Sequence, residues 1–206
     1  IRVGVNVSPI QFANPALPAI VTNALAKSGI AADRLELEIT EGVFLDGGEQ
    51  TDHMFRTLKS VGVRLALDDF GTGYSSLGYL KKAPFDKIKI DQSFVRGAAI
   101  QGSRNSAIIK SIVSLAEALS MDTTAEGAET HDELELIRQL GCSHIQGYIY
   151  GKPQTGDVVL ERLKEYGSAA VASGFKSSRP TRKAMLRSVG VMHDGHRYNG
   201  KDRKST

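Results

Sequence analysis

Short apolar segments alternate with helical patterns along most of this chain, and that alternation restricts its fold more than any other feature. The expected strands are Val3–Val7, Leu35–Ile39, Arg64–Asp68, Lys87–Asp91, Thr123–Glu126 and Ile145–Tyr148. The expected helices are Pro15–Ser28, Gln50–Val61, Ser76–Lys82, Asn105–Leu119, Asp132–Leu140 and Asp157–Glu165. Because parallel strands must be joined by crossover segments, which are usually helices, this order predicts an α/β fold with a parallel sheet.

Polar side chains near the strand ends indicate where a functional site would lie. They are Asn6, Glu38, Asp68, Asp69, Lys89, Asp91, Glu126 and Gln146. The C-terminal ends of parallel strands meet at one edge of the sheet, and a parallel barrel builds its active site at that edge. If these positions served stability alone, we would expect apolar residues there. The pattern therefore predicts a polar site at this edge.

Two adjacent aspartates, Asp68 and Asp69, follow an apolar run and precede a loop that contains Gly71 and Gly73. Neighbouring strand residues point to opposite faces, so both carboxylates share a face only if the strand ends there. Two carboxylates are costly to bury, and Mg²⁺ or Mn²⁺, which prefer oxygen ligands, would relieve that cost. Taken alone, the pair also fits a solvated turn.

The charge distribution separates an acidic body from a basic C-terminal segment. Residues 1–166 carry 17 Lys or Arg and 21 Asp or Glu, whereas residues 167–206 carry nine Lys or Arg and two Asp. This asymmetry argues against a uniformly basic nucleic-acid-binding protein. The single cysteine in 206 residues allows no intrachain disulfide, which favours a reducing compartment and predicts a cytoplasmic domain.

The same composition predicts three segments along the chain. Residues 1–166 carry the strand and helix patterns, and residues 167–180 are rich in Ser and Gly, as flexible linkers are. Residues 181–206 form a basic tail in which Asp194-Gly195 predicts the turn of a β-hairpin.

Six ordered motifs resemble those of EAL domains, the cyclic di-GMP phosphodiesterases of bacterial signalling. They are NVSPIQF, LELEITEG, LALDDFGTGYSSL, FDKIKIDQSF, AEGAET and IQGYIYGKP. The resemblance covers about residues 1–166 and implies a modified TIM-type (β/α)8 barrel. The family's first two strands, with the Glu-Ala-Leu signature, precede the first of these motifs, so six of eight strands are expected here. With two strand edges open and one glutamate ligand missing, we expect residues 1–206 alone to be poorly soluble or oligomeric, and nearly inactive.

The resemblance also implies roles for individual residues. It implies two Mg²⁺ or Mn²⁺ ions held by Asn6, Glu38, Asp68, Asp69 and Glu129. It implies catalytic roles for Lys89, Glu126 and Gln146, a loop-anchoring role for Glu41 and a substrate-binding role for Asp91. In the family's pattern the lysine holds the nucleophilic water, and the first glutamate of AEGAET acts as general base.

Several of these residues have ordinary structural alternatives. Asn6 could cap the turn after its strand, and Glu41 could interact with the positive N-terminus of a following helix. Gln146 could be a hydrogen-bonding residue at the rim of the core. Lys89 could form a Schiff base, as in aldolases, although neighbouring carboxylates would raise its pKa and make it a poorer nucleophile.

The activity implied by the resemblance is metal-dependent hydrolysis of cyclic di-GMP to linear pGpG. The alternative is a non-catalytic module that binds cyclic di-GMP or a protein partner, because the Glu-Ala-Leu strand is absent from this chain. The resemblance also implies a homodimer formed through the barrel and an upstream sensory or GGDEF-type domain. The basic tail, at residues 182–187, resembles the opening of a PilZ domain; the alternative is a solvated basic tail.

Overall fold

The computed structural model describes residues 2–44, 48–73, 77–166, 190–193 and 196–199 of the chain. The chain divides into two compact units, Ile1–Phe175 and Lys176–Thr206. The first unit contains a parallel sheet with helices, and the second contains a β-hairpin. Within the described residues, no helix combines the length and the apolar character needed to cross a membrane.

Six parallel strands form a curled half-barrel in the first unit. The strands are β1 Val3–Val7, β2 Leu35–Thr40, β3 Arg64–Phe70, β4 Lys87–Ile90, β5 Asp122–Ala125 and β6 His144–Ile145. Each strand pairs with the next along the chain, in the order β1-β2-β3-β4-β5-β6. This topology confirms the predicted α/β barrel-type fold, and it brings the C-terminal ends of all six strands to one edge.

Helices and short helical turns connect the strands. They are α1 Pro9–Phe12, α2 Leu17–Ser28, α3 Glu49–Val61, α4 Leu77–Lys82, α5 Gln92–Val95, α6 Asn105–Ala118, α7 His131–Gln139 and α8 Gly156–Tyr166. Two 3₁₀ turns, Ala32–Arg34 and Glu41–Phe44, flank β2. At the start of α7, the Thr130 hydroxyl accepts a hydrogen bond from the Glu133 backbone N–H, and the Glu133 carboxylate accepts one from the Thr130 backbone N–H. This capping box satisfies two donors that a helix start leaves unpaired.

The apolar core contains residues from alternate positions of the strands together with one side of the longer helices. It includes Leu37, Leu65, Ile88 and Ile90 from the strands and Phe55, Leu58, Ile109 and Ile137 from the helices. Four phenylalanines, Phe12, Phe44, Phe55 and Phe85, pack together with ring centroids 4.7 to 6.0 Å apart. Because one set of strand positions is in this core, the alternate set faces the interior of the half-barrel.

That interior face carries ion pairs arranged in two layers. In the lower layer the Lys87 Nζ atom lies 2.6 Å from Glu36 Oε1, and the Arg64 Nη2 atom lies 2.8 Å from Asp122 Oδ2. The upper layer, two residues further along the strands, contains Lys89 and belongs to the candidate site. Charged residues can therefore line the barrel interior because each has partners of opposite sign.

Two predicted strand ends differ from the structure for identifiable reasons. The sixth strand was expected over Ile145–Tyr148 but is His144–Ile145, because the chain then turns: the Tyr150 N–H donates to the Gly147 carbonyl at 3.1 Å. A Cβ on Gly147 would lie 2.2 Å from the Ala128 carbonyl oxygen, so this close approach of two backbones requires glycine. The fourth strand ends at Ile90 because Asp91 instead caps α5.

The second unit contains strands β7 Gly190–His193 and β8 His196–Asn199, which pair antiparallel. Their pairing confirms the hairpin that was predicted around Asp194-Gly195. The turn itself, the linker at 167–180 and the basic stretch at 182–187 lie outside the described residues.

Candidate active site

A β-bulge in β3 places Asp68 and Asp69 at the C-terminal edge of the sheet. Leu67 lies opposite Ile88 and Phe70 lies opposite Ile90, so β3 has one residue more than β4 in this interval. The extra residue gives Asp69 a left-handed backbone, with φ of 53°. The strand was expected over Arg64–Asp68 but continues to Phe70, because a bulge re-aims side chains without ending the strand.

Lys89 lies at the centre of a group of carboxylates. Its Nζ atom lies 2.8 Å from Asp68 Oδ1 and 2.8 Å from Glu126 Oε1, and it also forms a short hydrogen bond to Glu38 Oε2. The lysine is 4% exposed. Strands β2, β3 and β4 and the loop after β5 each contribute one member of this group, so the geometry follows directly from the strand order.

The surroundings of Lys89 and Glu126 shift both pKa values. Burial lowers the pKa of Lys89, but hydrogen bonds to Asp68, Glu126 and Glu38 outweigh burial, and the net effect raises it. Burial, with the charges of Asp68 and Glu38, raises the pKa of Glu126 against the opposing hydrogen bond and charge of Lys89. Lys89 therefore stays an ammonium at neutral pH, which disfavours the Schiff-base alternative.

Asp68, Asp69 and Glu126 form a potential cation site. Each offers a carboxylate oxygen, and these oxygens lie within 4.8 Å of one another. Burial, followed by the charges of Asp68 and Asp91, raises the pKa of Asp69. Carboxylate oxygens suit a hard divalent cation, and the local excess of negative charge is what such a cation would neutralise. The residues present therefore fit Mg²⁺ or Mn²⁺.

Glu38 and Asn6 lie beside this group on β2 and β1. The two residues are opposite each other in the register of the parallel pair, and Asn6 is exposed. The Glu38 side chain fills the space over Gly4, where an added Cβ would lie 2.2 Å from Glu38 Oε1. Glycine at that position thus allows Glu38 to reach Lys89.

Glu41 contacts the loop that follows the aspartate pair. Its Oε1 atom accepts a hydrogen bond of 2.9 Å from the Gly71 backbone N–H. A Cβ on Gly73 would lie 3.0 Å from Glu41 Oε2, so the loop passes close to this carboxylate. Residues 74–76, which continue the loop, lie outside the described residues.

The structure places the remaining predicted site residues around the edge of the carboxylate group. Glu129 Oε1 accepts a hydrogen bond of 2.9 Å from Arg96 Nη2, and this ion pair directs Glu129 toward α5. Asp91 Oδ1 accepts a hydrogen bond of 2.9 Å from the Ser93 N–H as the N-cap of α5. Gln146 lines a crevice next to Glu126. The metal, substrate and catalytic roles of these three residues stay predictions.

Glu133 is a buried residue whose contact with α5 the sequence reasoning missed. Its carboxylate accepts hydrogen bonds from three backbone N–H groups, those of Gly97, Glu129 and Thr130, at 3.0 to 3.1 Å. It thereby holds the loop of Glu126 and Glu129 against the end of α5. The capping-box pattern identified the Thr130 contact, but no local pattern predicts the contact with Gly97, 36 residues away.

The profile of the EAL domain family matches residues 1–153, which include every site residue described above. The chain belongs to the EAL domain family. An uncharacterized signaling protein of Caulobacter vibrioides is 41% identical to this EAL domain over 179 residues, which are 87% of this chain and 22% of that protein. MucR of Pseudomonas aeruginosa, a bifunctional diguanylate cyclase/cyclic di-GMP phosphodiesterase, is 37% identical over 159 residues, which are 77% of this chain and 23% of MucR. The chain thus spans about a fifth of the length of the curated relatives it matches.

Solved structures support the same assignment. The EAL domain of Mycobacterium smegmatis DcpA superposes with a TM-score of 0.76 at 34% identity, covering 80% of this chain and 74% of that one. The MucR phosphodiesterase of P. aeruginosa, in complex with c-di-GMP, gives 0.72 at 36% identity, covering 77% and 70%. Klebsiella pneumoniae BlrP1, in a manganese and cyclic di-GMP complex, gives 0.69 at 31% identity, covering 74% and 39%.

Proposed function

We propose that this EAL domain hydrolyses one phosphodiester bond of cyclic di-GMP and releases linear pGpG, with Mg²⁺ or Mn²⁺ at the carboxylate site. The observation that carries the proposal is the group of Asp68, Asp69 and Glu126 around the buried ammonium of Lys89. Two relatives support it: MucR is named as a cyclic di-GMP phosphodiesterase, and BlrP1 was solved with manganese and cyclic di-GMP.

The metal would be held by Asp68, Asp69 and Glu126, with Glu38 and Asn6 adjacent. When bound, it would supply positive charge that lowers the pKa of a coordinated water and stabilises the phosphoryl oxygens. Burial raises the pKa of Asp69 and Glu126, and a bound cation would offset the cost of their negative charge.

Lys89 and Glu126 would divide the proton chemistry between them. The ammonium of Lys89 donates hydrogen bonds and can hold a water oxygen near the phosphorus, while its charge favours the transition state over the substrate. As that oxygen bonds to phosphorus and the bond to the ribose 3′-oxygen breaks, the Glu126 carboxylate takes the proton of the attacking water. The proton taken by Glu126 then passes to the departing 3′-oxygen, which becomes a hydroxyl, so one water is consumed for each bond broken and Glu126 is regenerated as a carboxylate.

The positions around this centre suit supporting roles. Glu41 would fix the loop after Asp69 through the Gly71 N–H, and Glu133 would fix the loop that carries Glu126. Gln146 and Asp91 lie at the edge where the substrate would enter. Glu129, held by Arg96, would reach the metals only with a change of that ion pair.

An Asp68→Asn variant, made in a protein extended upstream by the family's first two strands, tests the proposal, because it keeps the shape of the side chain and removes its charge. We expect Mn²⁺ affinity and turnover to fall by more than the roughly 10- to 100-fold that loss of an outer-shell partner costs. Titration calorimetry with Mn²⁺ and chromatography of the pGpG product measure the two quantities. Asp33→Asn, at an exposed position in the first 3₁₀ turn, is the matched control.

Two outcomes would contradict the proposal. An Asp68→Asn variant with wild-type turnover would refute the role of the carboxylate site. Wild-type protein of that extended length that binds cyclic di-GMP in the presence of Mn²⁺ without releasing pGpG would show that the domain is a binding module.

A further inference from the structure

Two segments of the chain carry the groups that handle the proton in the proposed reaction. Lys89 lies on β4, and from there the chain continues through α5 to Gly97. Glu126 lies in the loop that follows β5 and leads to α7. The Lys89 Nζ atom and the Glu126 Oε1 atom are 2.8 Å apart. Their geometry therefore depends on how these two segments are held against each other.

The inner part of the contact between the two segments lies next to the carboxylate group. The Glu126 backbone N–H donates to the Ile90 carbonyl at 3.1 Å. One residue further on, Gly127 packs closely against α5, since a Cβ on Gly127 would lie 2.5 Å from the Gln92 Cβ. These contacts fix the loop at the point where it leaves β5.

Glu133 makes the outer part of this contact, and its side chain binds the backbone of both segments. The residue is 7% exposed. Its Oε1 atom accepts a hydrogen bond of 3.0 Å from the Gly97 N–H. Its Oε2 atom accepts hydrogen bonds of 3.1 Å from the N–H groups of Glu129 and Thr130. The Oε2 bonds belong to the start of α7, whereas the Oε1 bond joins the loop to the end of α5.

We propose that Glu133 is a positioning residue for the hydrolysis and that it acts through its bond with the Gly97 N–H. This bond keeps the loop on α5 and so keeps the Glu126 carboxylate in place beside Lys89. The inference rests on the proposed function, because it takes Glu126 to be the group that accepts the proton of the attacking water.

The burial of Glu133 indicates a role beyond helix capping. A capping box can be made by glutamine as well as by glutamate, so capping alone does not require a buried charge. Burying a carboxylate is costly unless hydrogen bonds compensate for the lost water. Backbone N–H groups form strong bonds with an ionised carboxylate, and the bond with Gly97 is one that capping does not supply. The charge of Glu133 therefore suits a link between two elements.

The reaction should be sensitive to this link because Glu126 must reach the attacking water. A misplacement of about 1 Å can cost roughly 100-fold in rate. The Arg96–Glu129 ion pair also joins the two segments, but its side chains are 55% and 35% exposed. Ion pairs exposed to that degree contribute little to stability. Glu133 is thus the buried link at the outer end of the loop.

Glu133→Gln removes the bond with Gly97 and can keep the capping box. The amide oxygen can still accept from the N–H groups at the start of α7, but the NH₂ group cannot accept from the Gly97 N–H. Thr130→Ala is the reverse control: it removes the hydroxyl that accepts from the Glu133 N–H at 3.2 Å and leaves the bond with Gly97. Glu135→Gln makes the same chemical change as Glu133→Gln at an exposed position of α7.

The variants are compared in the protein extended upstream by the family's first two strands, by turnover of cyclic di-GMP and by calorimetry with Mn²⁺. We expect Glu133→Gln to lower kcat by roughly 10- to 100-fold. The KM should change little, because the bond acts on the reacting geometry and not on substrate binding. Mn²⁺ affinity should fall by roughly tenfold, since Glu126 belongs to the cation site. Thr130→Ala and Glu135→Gln should behave as the wild type.

A double-mutant cycle with Glu126→Gln distinguishes positioning from a general loss of stability. If Glu133 acts through Glu126, Glu133→Gln should cause no further loss of Mn²⁺ affinity once Glu126 has been replaced. A general loss of stability would instead weaken Mn²⁺ binding by the same factor in both backgrounds. This measurement requires no turnover.

The results separate the positioning role from the hydrolysis itself. Wild-type kcat and Mn²⁺ affinity in Glu133→Gln would overturn the positioning role. Equal losses in Thr130→Ala, or additive losses in the cycle, would overturn it as well. A non-additive cycle in a protein that binds cyclic di-GMP without releasing pGpG would refute the proposed hydrolysis and support the positioning of Glu126 by Glu133.

Discussion

Replacing Lys89 with methionine removes a buried cation from the centre of three carboxylates while keeping an unbranched side chain. Without added metal, we expect the free energy of unfolding to fall by about 3–5 kcal/mol, the cost of removing one partner from a buried ion pair. The basis is the burial of Lys89 and its 2.8 Å contacts with both Asp68 and Glu126.

The distances of these contacts limit how large the loss in the free energy of unfolding can be. At an effective dielectric constant of about 20, an ion pair at 2.8 Å is worth about 6 kcal/mol before desolvation is counted. Burying the ammonium costs several kcal/mol, which offsets much of that attraction. After the substitution a carboxylate such as Glu126 can take up a proton, at about 1.4 kcal/mol for each unit of pKa change. The net loss is therefore far smaller than the sum of the separate attractions.

Divalent metal should offset part of this loss, because a cation that binds the carboxylates replaces the missing ammonium. Mn²⁺ at 100 times its dissociation constant stabilises the folded state by about 2.7 kcal/mol. We also expect Lys89→Met to bind Mn²⁺ more tightly than the wild type, since the competing ammonium is gone. Urea unfolding of the purified protein with and without Mn²⁺, together with calorimetry, measures both effects.

Lys110→Met is the matched control, because Lys110 lies on an exposed position of α6. Its free energy of unfolding should change by less than about 0.5 kcal/mol. A Lys89→Met protein that is as stable as this control without metal would refute the reasoning. Equal Mn²⁺ affinity in Lys89→Met and wild type would show that the ammonium and the metal do not compete for the same carboxylates.

Three further predictions concern single residues. Lowering the pH from about 8 to about 5 should weaken Mn²⁺ binding and increase the proton release that accompanies it, because burial raises the pKa of Glu126, which must be ionised to bind a cation. Calorimetry in buffers of different ionisation enthalpy measures the affinity and the proton release, and a constant Mn²⁺ affinity would contradict this prediction. Gly4→Ala puts a Cβ 2.2 Å from Glu38 Oε1 and should lower the free energy of unfolding by about 1–3 kcal/mol. Gly156→Ala, with no atom within 4 Å of the new Cβ, should show no such loss in thermal unfolding. The rate at which iodoacetamide alkylates Cys142 should still increase above pH 9.0, because burial raises the pKa of the thiol. Mass spectrometry measures this rate, and a rate that becomes constant below that pH would contradict the prediction.

Sequence pattern predicted the strands well where burial alternates regularly. Val3–Val7 agrees with the structure at both ends, and Leu35–Ile39 is one residue short. The short helices α1 and α5 were not predicted, because four residues are too few to show a helical period. The bulge at Asp69 was also missed, since it depends on how β3 aligns with β4 and not on the residues of β3 alone.

The candidate site was predictable where its residues lie at strand ends and less so where they lie in loops. Asp68, Lys89 and Glu126 come together because parallel strands in sequential order bring their ends to one edge. No such rule predicts the Arg96–Glu129 ion pair, which joins two loops 33 residues apart. Tyr148 was expected in the sixth strand, and it lines the crevice because the chain turns after Ile145.

The two layers of ion pairs in the barrel interior have a consequence for how the chain folds. Lys87 and Lys89 are two residues apart, and so are their partners Glu36 and Glu38. A slip of β4 by two residues would keep every side chain on its proper face and could bring Lys87 to Glu38, so a lysine would still lie among the carboxylates of the upper layer. Asp86, immediately before β4, distinguishes the native alignment of this strand from the shifted one.

Asp86 ties the start of β4 to neighbouring elements that cannot shift with it. Its carboxylate accepts a hydrogen bond of 2.8 Å from the Leu65 N–H of β3 and contacts Lys59 of α3 at 2.9 Å. Its own N–H donates to the Leu65 carbonyl at 2.9 Å. A slipped strand would break all of these contacts at once, so Asp86, outside the carboxylate group, disfavours a misfolded chain in which Lys87 would lie among those carboxylates.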